Sequence, residues 1–346
     1  MKYFIYILLV LFFTNKIYCQ QNDSTIENEF TIVSYNIENL FDTINDPDKL
    51  DEDFTPNGKY KWTSKRYNIK INKIAKVLQS INSAELPEII GLVEIENKEV
   101  LKDLISNKNL IKGKYEIISE ESPDRRGIDV AILYRKDEFK YITHKAIPVS
   151  YPFSPNSRTR DILYVKGVAS QIDTFHIFVN HWSSRRGGQE KSEIKRIHSA
   201  KILRNSIDSI FKLNLNSKII IIGDFNDNPT NKSIFYILKA NNKRKNYEPT
   251  ELYNLLYDKH DTINTGTYLY KNNWDMLDNL IVSQSLLKTS KGYYTNYNGG
   301  HIYKPIWICY TNKNTGIKHP NRTYIGSKYV GGYSDHFPVY MILNKK

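Results

Sequence analysis

Short, almost uninterrupted apolar runs, each followed by polar side chains, constrain the fold of this chain more than any other feature. The clearest are residues 30–37 (FTIVSYNI), 89–93 (IIGLV) and 218–222 (KIIII). Runs of this length, rich in β-branched residues, are typical of buried strands. Buried strands need other layers of structure on their faces, so the chain cannot be a single exposed sheet.

Further strands and three helices are predicted along the chain. The strands are 115–118, 130–134, 162–168, 175–179, 277–283 and 338–343, and the helices are 66–81, 97–106 and 191–211. Several strands follow one another directly, which favours a mixed sheet or two sheets with helices outside over a purely parallel βαβ sheet. Residues 42–61 and 288–332 lack periodicity and are predicted to be loops, the second being inserted before the last strand.

The first nineteen residues have the form of a secretory signal peptide. A positive start precedes an apolar run over 3–13, which is too short to span a bilayer. The predicted division is a signal peptide at 1–19, a polar tether at 20–29 and a single domain at 30–346. The protein is therefore expected to be secreted or periplasmic. Lipid anchoring at Cys19 is less favoured, because the bulky Ile17 and Tyr18 precede it.

Charge and cysteine content narrow the function. The formal net charge is +12 at pH 7, and removal of the signal segment, with its two lysines and no acidic residue, leaves +10. Such an excess favours nucleic acid, phospholipid headgroups or acidic glycans as partners. The chain has 2 cysteines, which excludes a disulfide scaffold and a cysteine-rich zinc protein.

Carboxylate, amide and imidazole side chains flank six predicted strands. They are Asn36, Glu94, Asn180 with His181, Asp224 with Asn226 and Asp227, Asp278, and Asp335 with His336. Ligands of α/β folds usually bind at strand ends. Oxygen ligands without cysteine suit Mg²⁺, Mn²⁺ or Ca²⁺ rather than structural zinc. A hard cation, histidines for acid–base work and a basic surface are together what hydrolysis of a phosphate ester requires.

The order of these motifs resembles the endonuclease/exonuclease/phosphatase superfamily. The motifs are YNIENLFD (35–42), LVEIEN (92–97), RGIDVAILY (126–134), VNHWSSRRGG (179–188), IIIGDFND (220–227), WDMLDNLIVS (274–283) and YSDHFP (333–338). The resemblance spans about 30–343, and GDFN with a later SDH is its most specific part. It implies a four-layer α/β sandwich, in which two mixed β-sheets pack face to face with helices outside, and it implies one or two divalent ions.

The resemblance also implies roles for the metal site and the attacking water. Asn36, Glu94 and Asp335 are expected at the metal site, with Glu94 foremost as a direct ligand. Asp224 is expected to position or deprotonate the attacking water. Asn226 is expected to hold the phosphate or a second ion.

The resemblance assigns the two histidines to the phosphate. His336 is expected to contact the scissile phosphate, and Asp278 to orient its imidazole by fixing the tautomer. His181 matches the histidine that deoxyribonuclease-like members place on the phosphate. Three arginines on loops beside the motifs are candidate phosphate contacts, with exposed charged turns as the alternative: Arg126, Arg185 and Arg186.

Three functions remain open at this stage. The first is a secreted, monomeric nuclease that acts on DNA or RNA and needs no protein partner. The second is a phosphatase or phosphodiesterase acting on lipid headgroups or inositol phosphates. The late aromatic residues Tyr293, Tyr294, Tyr297, Tyr303 and Trp307 could meet a membrane, stack on bases or form part of the core. The third is a non-catalytic surface-binding protein, although none of the core motif residues is missing.

Overall fold

The structure is a computed structural model that describes residues 29–82 and 85–346. The predicted signal peptide and almost all of the predicted tether lie outside these residues. The strands are β1 (Phe30–Leu40), β2 (Ile89–Ile95), β3 (Tyr115–Ser119), β4 (Asp129–Arg135), β5 (Phe139–Ile147), β6 (Ile162–Ala169), β7 (Asp173–His181), β8 (Lys218–Asp224), β9 (Ala240–Asn241), β10 (Leu252–Asn254), β11 (Tyr268–Tyr270), β12 (Asn273–Asp275), β13 (Asp278–Ser283), β14 (Tyr293–Tyr294), β15 (Gly300–Ile302), β16 (Cys309–Thr311), β17 (Lys318–Pro320), β18 (Tyr324–Ile325), β19 (Lys328–Tyr329) and β20 (Val339–Lys345). The α-helices are α1 (Ser64–Ile81), α2 (Lys98–Ile105), α3 (Gln189–Leu213) and α4 (Tyr257–His260).

Two seven-stranded sheets form the centre of the described chain. Sheet A has the order β14-β20-β1-β2-β4-β3, with β15 also paired to β20, and sheet B has the order β5-β6-β7-β8-β13-β10-β9. Both sheets are mixed, because β1 is parallel to β2 and β7 is parallel to β8, whereas β20 and β13 are antiparallel to their neighbours β1 and β8. The other strands form three two-stranded hairpins.

The two faces of each central strand contribute to different apolar layers. In β8, Ile220 and Ile222 pack with Ile89 of β2 in the core between the sheets, whereas Ile219 and Ile221 pack against α3. Helices α1 and α2 cover the outer face of sheet A in the same way. The order of layers is therefore helix, sheet, sheet, helix, which confirms the predicted four-layer sandwich.

The three predicted helices are present, each within two residues of its predicted bounds. Helix α1 begins after Thr63, whose side chain accepts a hydrogen bond from the backbone N–H of Arg66. Helix α2 begins after Asn97, whose side chain accepts from the N–H groups of Glu99 and Val100. No helix in the described ranges has the length and apolar character needed to cross a membrane.

Several elements were not predicted from the sequence, among them β5, β9–β12, α4 and the strands within residues 288–332. Strand β5 was not predicted, because most of its residues are exposed at the edge of sheet B and no apolar run marks it. Residues 288–332 are not only surface loops: β14 and β15 pair with β20 and extend sheet A, and β16–β19 form two hairpins.

Candidate functional site

Strand pairing brings four predicted site residues to one end of sheet B. His181 lies opposite Asp224 in the parallel β7–β8 pair, and Asp278 lies opposite Asp224 in the antiparallel β8–β13 pair. The backbone N–H of Asn226 donates to Asp224 Oδ1 at 2.8 Å. Asp224 therefore stands at the middle of the group, with a predicted site residue on each side.

The GDFN turn requires a glycine before Asp224. Gly223 has a φ of +132°, and a Cβ atom there would lie 1.9 Å from the backbone oxygen of Asn180. Only glycine lets β8 approach β7 this closely, so Gly223 is needed to bring Asp224 beside His181.

Asn36 joins sheet A to this group. Its Nδ2 donates to Asp224 Oδ2 at 3.0 Å, and its Oδ1 accepts from the N–H of Glu38 at 3.0 Å. The hydroxyl of Ser334 donates to the backbone carbonyl of Asn36 at 2.6 Å, which anchors the SDH loop to β1. The site is therefore shared between the two sheets.

Glu94 occupies a bulge in β2. The register with β4 shifts between Val93 and Ile95, and Glu94 has a φ of +66°, in the left-handed region that side chains other than glycine rarely adopt. Its Oε2 accepts from the N–H of Asn39 at 2.9 Å, and its Oε1 lies 3.7 Å from His181 Nε2. The bulge thus places a carboxylate from sheet A against a histidine from sheet B.

His336 is held between two carboxylates. Its Nδ1 lies 2.7 Å from Asp278 Oδ2, its Nε2 lies 3.9 Å from Asp224 Oδ2, and Tyr268 packs on its ring with centroids 4.8 Å apart. Burial opposes a charge on this imidazole, but Asp278 and Asp224 outweigh it and raise the pKa of His336 well above its usual value. The two carboxylates therefore favour the protonated form of the His336 imidazole.

His181 has the opposite electrostatic setting. Burial, together with the charges of Arg160 and Arg126, holds the pKa of His181 well below its usual value. Its Nε2 lies 3.7 Å from both Glu94 Oε1 and Asp224 Oδ2. The surroundings of the two histidines therefore shift their pKa values in opposite directions.

The acidic groups fit a divalent cation. Burial raises the pKa of Asp335, with Glu94 as a neighbouring negative charge. In the described residues, neither Asp335 nor Glu94 has a lysine or arginine within ion-pair distance. Partly buried carboxylates without a neutralising cation are costly, and oxygen donors are what hard ions prefer. Residues 29–82 and 85–346 hold no group of three His, Cys, Asp or Glu side chains close enough to complete a metal cage, so water and substrate would supply the other ligands.

A cavity of about 770 Å³ opens above these groups. Nine of the eleven predicted site residues line it: Glu94, Arg126, His181, Arg185, Arg186, Asp224, Asn226, Asp335 and His336. The other two, Asn36 and Asp278, are buried beside it and bonded to Asp224 and His336. The structure thus brings all eleven together, while the role of each stays a prediction.

The three candidate arginines differ in their contacts. Arg185 donates from Nε to the carbonyl of Asn226 at 2.8 Å and from Nη1 to Asp275 Oδ1 at 2.9 Å. Arg126 is partly exposed, with Nε 3.3 Å from Asp124 Oδ1. Arg186 is exposed and makes no hydrogen bond or ion pair to any residue that the structure describes. Arg185 therefore ties loops together, and Arg186 is the arginine best placed to meet a phosphate.

Several cavity residues were not predicted from the sequence. Tyr268 and Tyr270 belong to β11, which carries no recognised motif, and Asp275 lies in β12 within the motif WDMLDNLIVS but was not among the predicted site residues. Asp227 follows GDFN in the sequence but does not line the cavity: its Oδ1 lies 2.7 Å from Nε of the buried Arg196. This buried ion pair joins the GDFN turn to helix α3.

Comparisons with known proteins agree with this description. The sequence profile of the Endonuclease/Exonuclease/phosphatase family matches residues 31–345. A search of curated proteins finds no match.

Solved structures show the same fold. An endonuclease/exonuclease/phosphatase family protein from Bacteroides thetaiotaomicron is 19% identical, with a TM-score of 0.55 over 92% of this chain and 98% of that one. A mannosyl-6-phosphatase from Bacteroides thetaiotaomicron is 20% identical, with a TM-score of 0.55 over 91% and 99%. D. rerio TDP2, solved with a single-strand DNA product, is 15% identical, with a TM-score of 0.54 over 92% and 99%.

At these identities the structural likeness shows the fold alone, and membership rests on the profile. Proteins of the matched family are hydrolases of phosphate esters and generally depend on divalent metals. Because the profile covers all but the first thirty residues and the last one, this chain belongs to the endonuclease/exonuclease/phosphatase family and is a hydrolase of phosphate esters.

Proposed function

We propose that this protein is a secreted, divalent-metal-dependent nuclease that hydrolyses phosphodiester bonds of DNA or RNA. One observation carries the proposal. The cavity that holds the pair of histidines and Asp224 is also lined by the exposed Arg186, the partly exposed Arg126 and Tyr270, whose exposed fraction is 56%. Guanidinium groups can hold the phosphates and an exposed ring can stack on a base.

The metal would be held by Glu94 and Asp335, with Asn36 close by. Mg²⁺ is the ion we propose, with Mn²⁺ or Ca²⁺ as alternatives and one or two ions bound. When bound, such an ion neutralises the phosphate and activates the attacking water.

Asp224 is placed to orient the attacking water and to take its proton at Oδ2. That oxygen receives the Asn36 amide and lies within 4 Å of both imidazoles, so it is a fixed acceptor. Asn226 donates one amide hydrogen to the carbonyl of Trp182 at 3.0 Å, which leaves the second for a phosphate oxygen.

His336 is placed to stabilise charge on the phosphate. Its Nδ1 is engaged by Asp278, which leaves Nε2 to face the cavity, where it donates to a phosphoryl oxygen when it carries a proton. A fixed donor aimed at developing negative charge is worth most in a partly buried site. His181 provides a second, neutral donor or acceptor beside it.

The net charge supports a polymeric substrate. A formal charge of +12 on the chain attracts polyanions generally, and D. rerio TDP2, which shares the fold, was solved with a DNA product. The similar mannosyl-6-phosphatase shows that the fold also serves a phosphatase. A phosphatase or phosphodiesterase for lipid headgroups or inositol phosphates would use the same centre, so the substrate must be tested directly.

In the test, the purified protein is incubated with one substrate at a time, either with Mg²⁺ or with EDTA. The substrates are supercoiled plasmid, single-stranded DNA, RNA, sphingomyelin, inositol phosphates and p-nitrophenyl phosphate. We expect nicking or shortening of nucleic acid that EDTA and His336→Ala abolish. The control His301→Ala removes a half-buried histidine that stacks on Tyr340 outside the cavity, and it should stay active. Intact nucleic acid with hydrolysed lipid or monoester would contradict the nuclease proposal.

Secretion and the monomeric state are part of the proposal. The apolar run near the N-terminus supports export, and a mature chain that lacks residues 1–19 should be recovered outside the cytoplasm. Mass spectrometry of the exported protein and its elution volume on size exclusion test these two points. A full-length chain retained in the cytoplasm would contradict export.

A further inference from the structure

The basic residues of this chain are distributed unevenly. Residues 279–334 contain no aspartate or glutamate, and they contain seven basic residues: Lys288, Lys291, Lys304, Lys313, Lys318, Arg322 and Lys328. Helix α1 has the same bias, with Lys65, Arg66, Lys70, Lys73 and Lys76 and no acidic residue. Lys70 is buried, and the other α1 cations are exposed or half-buried.

The two basic regions pack against each other through aromatic rings. Three cation–π contacts join them: Lys76 Nζ over Trp307 at 5.0 Å, Lys73 Nζ over Tyr333 at 4.7 Å, and the Arg66 guanidinium over Tyr329 at 4.3 Å. Cations and rings therefore alternate on one surface. We call the surface formed by α1 and residues 304–333 the basic face.

The basic face begins at the catalytic cavity. Tyr268 of β11 packs on His336, and β11 in turn packs against β17, which belongs to the basic face and ends two residues before Arg322. Arg322 and Tyr324 then line a second cavity of about 210 Å³.

A series of rings leads on from this second cavity. The rings of Tyr60 and Tyr324, which both line this cavity, pack on each other with centroids 4.9 Å apart, and the centroid of Tyr329 lies 5.4 Å from that of Tyr324. Arg66 sits over Tyr329, which brings the series to α1. The path from the catalytic histidine to the helix is thus continuous.

Large side chains are exposed on the same face. The exposed fraction is 74% for Ile306, 55% for Ile325, 41% for Tyr310 and 36% for Trp307. The same segment of the chain carries four exposed lysines, Lys304, Lys313, Lys318 and Lys328. A cluster of large apolar and aromatic groups on a surface marks an interaction site.

We propose that the basic face binds single-stranded nucleic acid that extends out of the catalytic cavity. This inference rests on the proposed nuclease function and deepens it. Lysine and arginine would follow the phosphates, and the tyrosine and tryptophan rings would stack on bases, which a single strand exposes and a duplex conceals. The alternative occupant is an anionic membrane. The continuity with the cavity favours the strand, because a strand cleaved there must leave along some surface.

The experiment compares a dinucleotide with a long single-stranded oligonucleotide. The variant Lys76→Glu/Lys304→Glu/Lys328→Glu reverses three exposed charges of the basic face, and Lys140→Glu/Lys201→Glu/Lys212→Glu reverses three exposed charges elsewhere. Both variants change the net charge equally. We expect kcat/KM on the long strand to fall at least ~10-fold for the first variant and to stay near wild type for the second, with the dinucleotide unaffected in both.

Binding measurements give an independent readout. The slope of log Kd against log salt concentration for the oligonucleotide should become shallower by about 2 in the basic-face variant, since each lost phosphate contact removes about 0.7. Trp307→Ala should weaken binding without changing that slope, because stacking does not release counterions. Turnover of the dinucleotide shows that each variant is folded.

The outcomes are distinguishable. A basic-face variant that cleaves the long strand as well as wild type, while the dinucleotide is also cleaved, overturns this inference and leaves the nuclease function standing. A wild-type protein that cleaves neither substrate overturns the nuclease function itself. Loss of binding to phosphatidylserine vesicles, with oligonucleotide binding unchanged, identifies the face as a membrane surface and overturns the inference.

Discussion

The imidazole Nδ1 of His336 and the carboxylate Oδ2 of Asp278 are 2.7 Å apart, and both residues are buried. The two residues come from different sheets, since Asp278 begins β13 of sheet B and His336 precedes β20 of sheet A. Their contact fixes which imidazole nitrogen can face the cavity, and it supplies a negative charge that favours the protonated ring.

Asp278→Asn should therefore slow catalysis without abolishing substrate binding. The amide keeps the shape but loses the charge, so we expect kcat to fall about 10- to 100-fold with little change in KM. Asp173→Asn is the matched control. Asp173 lies at the far end of β7 with an oxygen 2.6 Å from Lys218 Nζ, and its loss should affect stability but not kcat. Steady-state kinetics of both variants check this, and an Asp278→Asn enzyme with wild-type kcat would show that the pair has no catalytic role.

Arg185 and Arg186 are neighbours in sequence, yet their substitutions should have different effects. Arg185 holds the Asn226 carbonyl and Asp275, so Arg185→Ala should lower kcat and the melting temperature together. Arg186 is exposed, so Arg186→Ala should raise KM by about 5- to 10-fold, with stability unchanged. Kinetics and thermal melts of the two variants make the comparison. Equal effects on KM would contradict the division of roles.

Gly223→Ala should be severely destabilising. The added methyl group would collide with the Asn180 carbonyl in a backbone conformation that alanine avoids, and we expect a loss of about 2–6 kcal/mol in the free energy of unfolding. Gly187 also has a positive φ, of +83°, but no other atom lies within 4 Å of the position that a Cβ would take there. Gly187→Ala should therefore cost only the backbone strain, about 1–2 kcal/mol. Denaturant titrations of both variants measure the two losses in the free energy of unfolding. The difference between them is the cost of the steric collision at residue 223 beyond the backbone strain that both variants share.

Asp129 should make stability depend on pH. Burial raises its pKa to about 7, although Ser122 donates to it from its backbone N–H and its hydroxyl. In the unfolded chain its pKa is about 3.9, so between about pH 4 and pH 7 the folded protein holds a proton that the unfolded chain has lost. The contribution of Asp129 is therefore fully present below pH 4 and is lost as the pH rises through 7.

Asp129→Asn should remove the decrease in the free energy of unfolding that Asp129 causes as the pH rises. The amide still accepts a hydrogen bond and cannot ionise, so we expect the variant to gain about 4 kcal/mol relative to wild type between pH 4 and pH 8. Asp137→Asn, at an exposed ion pair with Lys114, is the control and should leave the slope unchanged. Urea titrations across this pH range measure the effect. Parallel curves for wild type and Asp129→Asn would mean that Asp129 stays ionised in the folded state.

The strands with long apolar runs were predictable, because burial on both faces leaves a continuous signal in the sequence. The pairing of Asp278 with Asp224 could not be predicted from the sequence. These residues are far apart along the chain, and no local pattern encodes the register of their strands. The expected site residues came from the resemblance of the motifs to the endonuclease/exonuclease/phosphatase superfamily. The structure brings those residues together at one cavity. The contacts of Arg185 could not be predicted, because an arginine on a glycine-rich loop has the same sequence whether it faces solvent or three loop acceptors.

The side-chain hydrogen bond between Asn36 and Asp224 joins sheet A to sheet B, and its length depends on how closely the two sheets pack. Gly91 leaves room for Ile222 at that interface, where a Cβ would lie 2.5 Å from the Ile222 side chain. Residue 36 lies in the first strand and His336 just before the last, so the candidate site is drawn from both ends of the domain. A nascent chain on the ribosome therefore holds an incomplete set of these residues until the segment that carries His336 has been synthesised.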